Sequence, residues 1–181
     1  MQHAEQRVLV AGVGNLFLGD DGFGPEVARR LGSADLPSGV RVADYGIRGL
    51  HLALDLLDGW DALVLIDAIG SRGAPGTVHL IEVPPQVPDG PAPDAQARDG
   101  AAFEAHGMEP AAMLAGVLAL GGQLPQTYIL GCEAASVEEG VGLSDAVADA
   151  VGPACAAVLG LVSRLAAGGS AAERSARSEV S

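Results

Sequence analysis

Residues 62–66, Ala-Leu-Val-Leu-Ile, are apolar at every position. A strand with one wet face alternates apolar and polar residues, so a run apolar throughout belongs in a sheet covered on both faces. Such sheets are parallel and need crossover helices, and the flanking sequence supplies them. Val8–Ala11 is a similar run, stopped by Gly12, while Val40–Ala43 and Thr127–Cys132 read as further strands. Val78–Val83 runs into Pro84-Pro85 and reads as an edge strand, because proline cannot donate to a ladder. Helical stretches lie between. Pro25 opens one that ends about Leu31; Leu50–Leu57 places Leu50, Leu54 and Leu57 on one face, with Leu52 and Leu56 beside them. Another resumes near Pro110, where Met113, Leu114, Val117, Leu118 and Leu120 form a wide apolar face. A long last helix is expected to be capped by the Ser144 hydroxyl accepting an orphan N–H. The alternation predicts an α/β fold with a mostly parallel sheet. Residues 1–168 read as a single domain, 84–100 as a long surface loop, and 169–181 as a disordered tail.

Charge narrows the partners. Ten basic residues, all arginine, stand against 23 acidic ones, a formal charge of −13. Nucleic acid and anionic membranes recruit basic patches, so neither is expected as the main partner. The most apolar stretch, 147–167, is interrupted by Asp149, Pro153 and Arg164, short of the ~20 apolar residues a span needs. The N-terminal residues are polar and lead directly into a strand, which predicts no signal peptide. Cys132 and Cys155 are too few for a disulfide framework and read as small buried hydrophobes. A cytoplasmic, monomeric chain with reduced thiols is the expectation.

The densest chemistry follows the first strand, in Gly12-Val-Gly14-Asn15-Leu-Phe-Leu-Gly19-Asp20-Asp21-Gly22-Phe-Gly24. Ligands of parallel sheets bind beyond the carboxyl ends of the strands, which is where this loop falls. As a dinucleotide fingerprint it fails at Phe17, where the third glycine should sit, and its two acids repel a pyrophosphate. Two adjacent carboxylates attract a cation instead. Asp67 follows the Ala-Leu-Val-Leu-Ile run and can face the same crevice as Asp21, although an aspartate there also serves as turn-former or helix cap. His106, after the long loop and before the Pro110 helix, falls at the same sheet edge. Asp21, Asp67 and His106 make an oxygen, oxygen, nitrogen set suited to a borderline divalent ion, with coordination positions left open. Asp20 reads as a supporting or helix-terminal charge, and Asn15 as an orienting or Asx-turn residue. His3, His51 and His79 read as surface groups, His79 pointing to solvent by strand alternation. Gly46-Ile47-Arg48-Gly49 reads as a substrate-contacting loop or a plain turn, with Arg48 paired to Asp44, and Trp60 as packing beneath a helix. The chain has no HExxH, GxSxG, P-loop lysine or CxxC, which excludes the enzymes built on those motifs.

The opening Val8-to-Leu31 segment, VLVAGVGNLFLGDDGFGPEVARRL, resembles the N-terminal signature of the nickel–iron hydrogenase maturation endopeptidases. DYGIRGLHLALDLL, LVLIDAIGSRGAPGTVHL, AHGMEPAAMLAGVLALG and QTYILGCEAASVEEGVGLSDAV continue the resemblance over essentially 7–165, leaving out the loop at 86–100. It implies a three-layer α/β/α fold around a twisted five-stranded sheet. It also implies removal of a C-terminal extension from a nickel-loaded hydrogenase large-subunit precursor, the partner protein. Asp21, Asp67 and His106 become the metal-contacting and catalytic residues, and nickel, supplied by the precursor, the cofactor. Family members often carry Glu at the first position; Asp21 offers the same oxygens on a shorter arm. Two other readings stay open: a nucleotide-binding α/β enzyme using the first loop and Asp44, and a hydrogenase assembly chaperone that binds the precursor without cutting it.

Overall fold

A computed structural model of the chain describes residues 6–83 and 110–167. Five strands, β1 (Val8–Val13), β2 (Val40–Gly46), β3 (Ala62–Ile69), β4 (Val78–Val83) and β5 (Gln126–Glu133), form one sheet in the order β2-β1-β3-β5-β4. The pairs β1–β2, β1–β3 and β3–β5 are parallel; β4 joins β5 antiparallel at the edge, where Pro84-Pro85 had placed it. Four helices cover the sheet: α1 (Phe23–Leu31), α2 (Gly49–Leu56), α3 (Pro110–Ala119) and α4 (Asp145–Ala166).

Strand alternation assigns the layers. Val8 and Val10 of β1 point to the core built with α1 and α4, whereas Leu9, Ala11 and Val13 point to the one built with α2 and α3. Every residue of β1 and β3 is buried. This is the three-layer α/β/α arrangement, and it explains why both strands are apolar without alternation.

Local departures have physical reasons. The face of α2 that meets the sheet is Leu52, Ala53 and Leu56, whereas Leu50, Leu54 and Leu57 are exposed. Five leucines in eight positions fit two faces of one helix, and packing against the sheet selects between them. In α3, Leu114 and Val117 are buried while Leu118, and Leu120 just past its end, are exposed. Helix α1 begins at Phe23, two residues before Pro25, because a turn of 3-10 helix over Gly19–Gly22 leads straight into it. Ser144 does occupy the N-cap position of α4, but its hydroxyl makes no capping bond; it donates elsewhere, to Asp20 Oδ2 at 2.9 Å.

By length and composition α4 could cross a bilayer. Its Val147, Val151, Ala154, Val158, Val162 and Leu165 line the core instead. The expected loop at 84–100 and tail at 169–181 lie outside the described residues.

Candidate active site

The first loop is held against the strand ends by close backbone contact. Gly14 has φ +132°, and a Cβ there would collide with the Asp21 carbonyl oxygen. A Cβ at Gly24 would likewise strike the carbonyl oxygens of Val13 and Ile66. Glycine at these two positions lets α1 start directly on the exits of β1 and β3. Asp21 is thereby carried next to the end of β3.

Asp67 lies within β3 rather than after it, since pairing with β5 continues through Asp67↔Gly131 to Ile69↔Glu133. Both carboxylates are buried, Asp21 2% and Asp67 3% exposed. The Asn15 N–H donates to Asp21 Oδ2 at 2.7 Å, while Asn15 Oδ1 accepts from the Phe17 N–H at 3.0 Å. Asn15 therefore makes an Asx turn and a hold on the acid at once. Burial first, then the charge of Asp21, pushes the Asp67 carboxyl up to about 8, against a smaller lowering by the Ala68 N–H. Two acids whose charges oppose each other away from water form a site that a cation would relieve. Carboxylate oxygens are hard donors of the kind a divalent ion takes.

Asp21 thus lies near enough to Asp67 for its charge to raise the Asp67 carboxyl. His106 lies outside the described residues. Among the described residues no three His, Cys, Asp or Glu side chains gather in a set able to hold a metal.

Asp20 proves to be a clamp. Its buried carboxylate accepts from the backbone N–H groups of Ala135 (2.7 Å), Ser136 (3.1 Å) and Ser144 (2.6 Å) and from the Ser144 hydroxyl. Burial pushes this carboxyl up, but the bonds from Ser144, Ser136 and Ala135 outweigh it and hold it below the usual aspartate range. It fastens the loop after β5 to the loop after β1.

Glu133, not singled out from the sequence, does the same for the loop between β3 and β4. Oε2 accepts from the N–H groups of Arg72 (2.9 Å) and Ala74 (3.2 Å), and Oε1 lies 2.9 Å from His79 Nε2. Those contacts, His79 foremost, lower the Glu133 carboxyl. His79 is thus drawn to Glu133 on the neighbouring strand, two residues beyond its register partner Gly131, instead of standing free in solvent. A polar residue closing an otherwise apolar strand was the available signal, the same one that singled out Asp67. Arg48 bonds the main-chain oxygens of Asp44 and Tyr45 and closes the turn into α2, not the Asp44 carboxylate. Cys132 is fully buried, and Trp60 donates from Nε1 to the Asp55 carbonyl at 2.9 Å.

A mostly parallel sheet covered by helices on both faces, with a buried carboxylate pair at the carboxyl end of its central strand, is an α/β fold with acids gathered where such sheets bind their ligands. The model of the hydrogenase maturation protease family (HycI) matches residues 25–161, a span containing Asp67 and the position of His106. The chain belongs to the hydrogenase maturation protease family. Among solved structures, the hydrogenase-maturating endopeptidase HybD from Escherichia coli is similar at 27% identity and a TM-score of 0.69, covering 88% of this chain and 93% of that one. The [NiFe] hydrogenase maturation protease HybD from Thermococcus kodakarensis is similar at 26% identity and a TM-score of 0.67, covering 87% and 99%. The hydrogenase 2 maturation protease of Escherichia coli K12 is 39% identical over 83 residues, 43% of this chain and 50% of that protein. The chain spans between 35% and 57% of the length of curated relatives of this kind.

Proposed function

We propose that the protein is an endopeptidase that removes the C-terminal extension of a nickel-loaded hydrogenase large-subunit precursor. The observation that carries this is the buried Asp21–Asp67 pair at the strand exits, in a chain of the maturation protease family. Nickel arrives as part of the substrate. Asp21 and Asp67 supply the oxygens that meet it, and His106 is the proposed nitrogen contact. The positive charge of the ion offsets the repulsion between the two carboxylates, so precursor carrying the metal is favoured over precursor without it. Asn15 holds Asp21 in position through its N–H, and the Asp20 clamp fixes the loop on which Asp21 sits. The ion thereby anchors the peptide segment beside the carboxylates. A monomeric enzyme of the cytoplasm completes the reading; both described cysteines are free thiols.

The test is incubation of the protein with nickel-loaded precursor, read by mass spectrometry. Expected is a shortened product, absent with nickel-free precursor and with the Asp21→Ala or His106→Ala variants. A precursor of unchanged mass overturns the protease reading; if it is nonetheless held in a stable complex, the protein is an assembly chaperone.

A further inference from the structure

A cleft of about 320 Å³ opens beside the Asp21 loop, between Leu16 and Gly22 on one side and Val141, Leu143 and Val151 on the other. A second, of about 360 Å³, adjoins it and shares Gly19 and Val141; Glu138 and Glu139 line this one. The two run together as a groove; one half is lined by apolar side chains together with Glu26 and Arg30, which pair with each other at 3.3 Å, and the other half is acidic.

Its walls are bonded to each other. Leu18 and Gly140 form a parallel β-bridge, Gly140 N–H donates to the Phe17 carbonyl at 2.9 Å, and Gly19 N–H donates to the Gly140 carbonyl at 2.9 Å. The Asp20 carboxylate pins the same two loops from beneath. Yet Leu16, Phe17 and Val141 on these loops are 49%, 70% and 82% exposed. Large apolar side chains on a mobile loop can fold away from water; on a pinned one they stay exposed until another molecule covers them. The occupant must also suit the acidic half, where Glu138 and Glu139 are exposed and have no ion pair among the described residues. Gly19 and Gly22, which line the groove, flank Asp20 and Asp21 in sequence, so the groove borders the loop that carries Asp21.

We propose that this groove seats a segment of the protein substrate in which an apolar side chain neighbours a lysine or arginine. This rests on the function proposed above and adds where the substrate is gripped. The apolar side chain fills the cleft between Leu16 and Val141, and the cation meets Glu138 and Glu139.

Val141→Asp and the double change Glu138→Lys with Glu139→Lys test it, since none of these residues touches the carboxylate pair. Binding of nickel-loaded precursor is measured by titration calorimetry, cleavage by steady-state kinetics, and self-association by sedimentation. Expected is a rise in Kd and KM of about tenfold or more, with kcat and melting temperature unchanged, and for the double variant a loss that shrinks with added salt. Wild-type Kd and KM in both variants overturn the proposal. So does a wild-type dimer that Val141→Asp splits without changing KM, which gives the groove to a second copy of the chain. A wild-type protein that binds precursor without cutting it refutes the protease reading, and the Kd values then decide for or against the groove on their own.

Discussion

Replacing Asp67 by asparagine should make the metal-free protein more stable. Asp67 is 3% exposed, and burial with the neighbouring Asp21 charge lifts its carboxyl from 3.8 to about 8. Between those two values the folded state keeps a proton that the unfolded chain releases, so stability falls as pH rises from about 4 to about 8 and levels off above. Each unit in that window corresponds to about 1.4 kcal/mol, so near neutral pH the cost is about 4 kcal/mol. Asparagine has the same shape and no proton to hold, but its amide must still be desolvated. Part of the cost is therefore recovered, a net gain of about 1–3 kcal/mol, or roughly 2–10 °C in melting temperature for a chain of this length. Thermal and urea unfolding of wild type and Asp67→Asn in the presence of a chelator, from about pH 5 to about pH 8, reads this directly. The gap between the two proteins should widen with pH, while the variant loses all cleavage. A variant no more stable than wild type at the upper pH, or a gap that does not widen, refutes the electrostatic account of the site.

Two further outcomes follow from the clamps. Asp20→Ala removes an acceptor from three backbone N–H groups and a hydroxyl; urea unfolding should show a loss of about 3–5 kcal/mol. Because the Asp20 carboxyl is lowered in the fold, its contribution is present at neutral pH and disappears as pH falls through and below the ordinary aspartate range. Glu133→Gln should speed hydrogen exchange at the Arg72 and Ala74 amides, which its carboxylate holds, and leave the amides of β1 unchanged; unaltered exchange at both would show that the loop stands without it.

The parts legible in the sequence were those encoded locally. A run apolar at every position announces a doubly covered strand, and an acid interrupting it, as at Asp67, announces a position that serves something other than core. The first loop is rich in glycine, and at Gly24 the reason is steric, since a Cβ there would strike two carbonyl oxygens. What stayed hidden depends on residues distant in sequence. Nothing near Asp20 tells that Ser144 will donate to it, so from the sequence the serine reads as an ordinary helix cap. Period-2 alternation sent His79 to solvent, since the rule knows nothing of Glu133 on the partner strand. In α2, leucines at 50, 52, 54, 56 and 57 offer two hydrophobic faces, and only the sheet chooses Leu52 and Leu56.

The spatial order β2-β1-β3-β5-β4 also sets a timetable for synthesis. Strand β4 leaves the ribosome before β5, its pairing partner, and exposes Leu80 and Ile81 on a ribbon without a sheet. The Asp20 carboxylate waits longer still, for donors at Ala135, Ser136 and Ser144. The loop that carries Asp21 is therefore translated early and fastened late. A nascent chain holds both acids of the site well before it holds the site, and the carboxylate pair is secured only when β5 and the start of α4 have emerged.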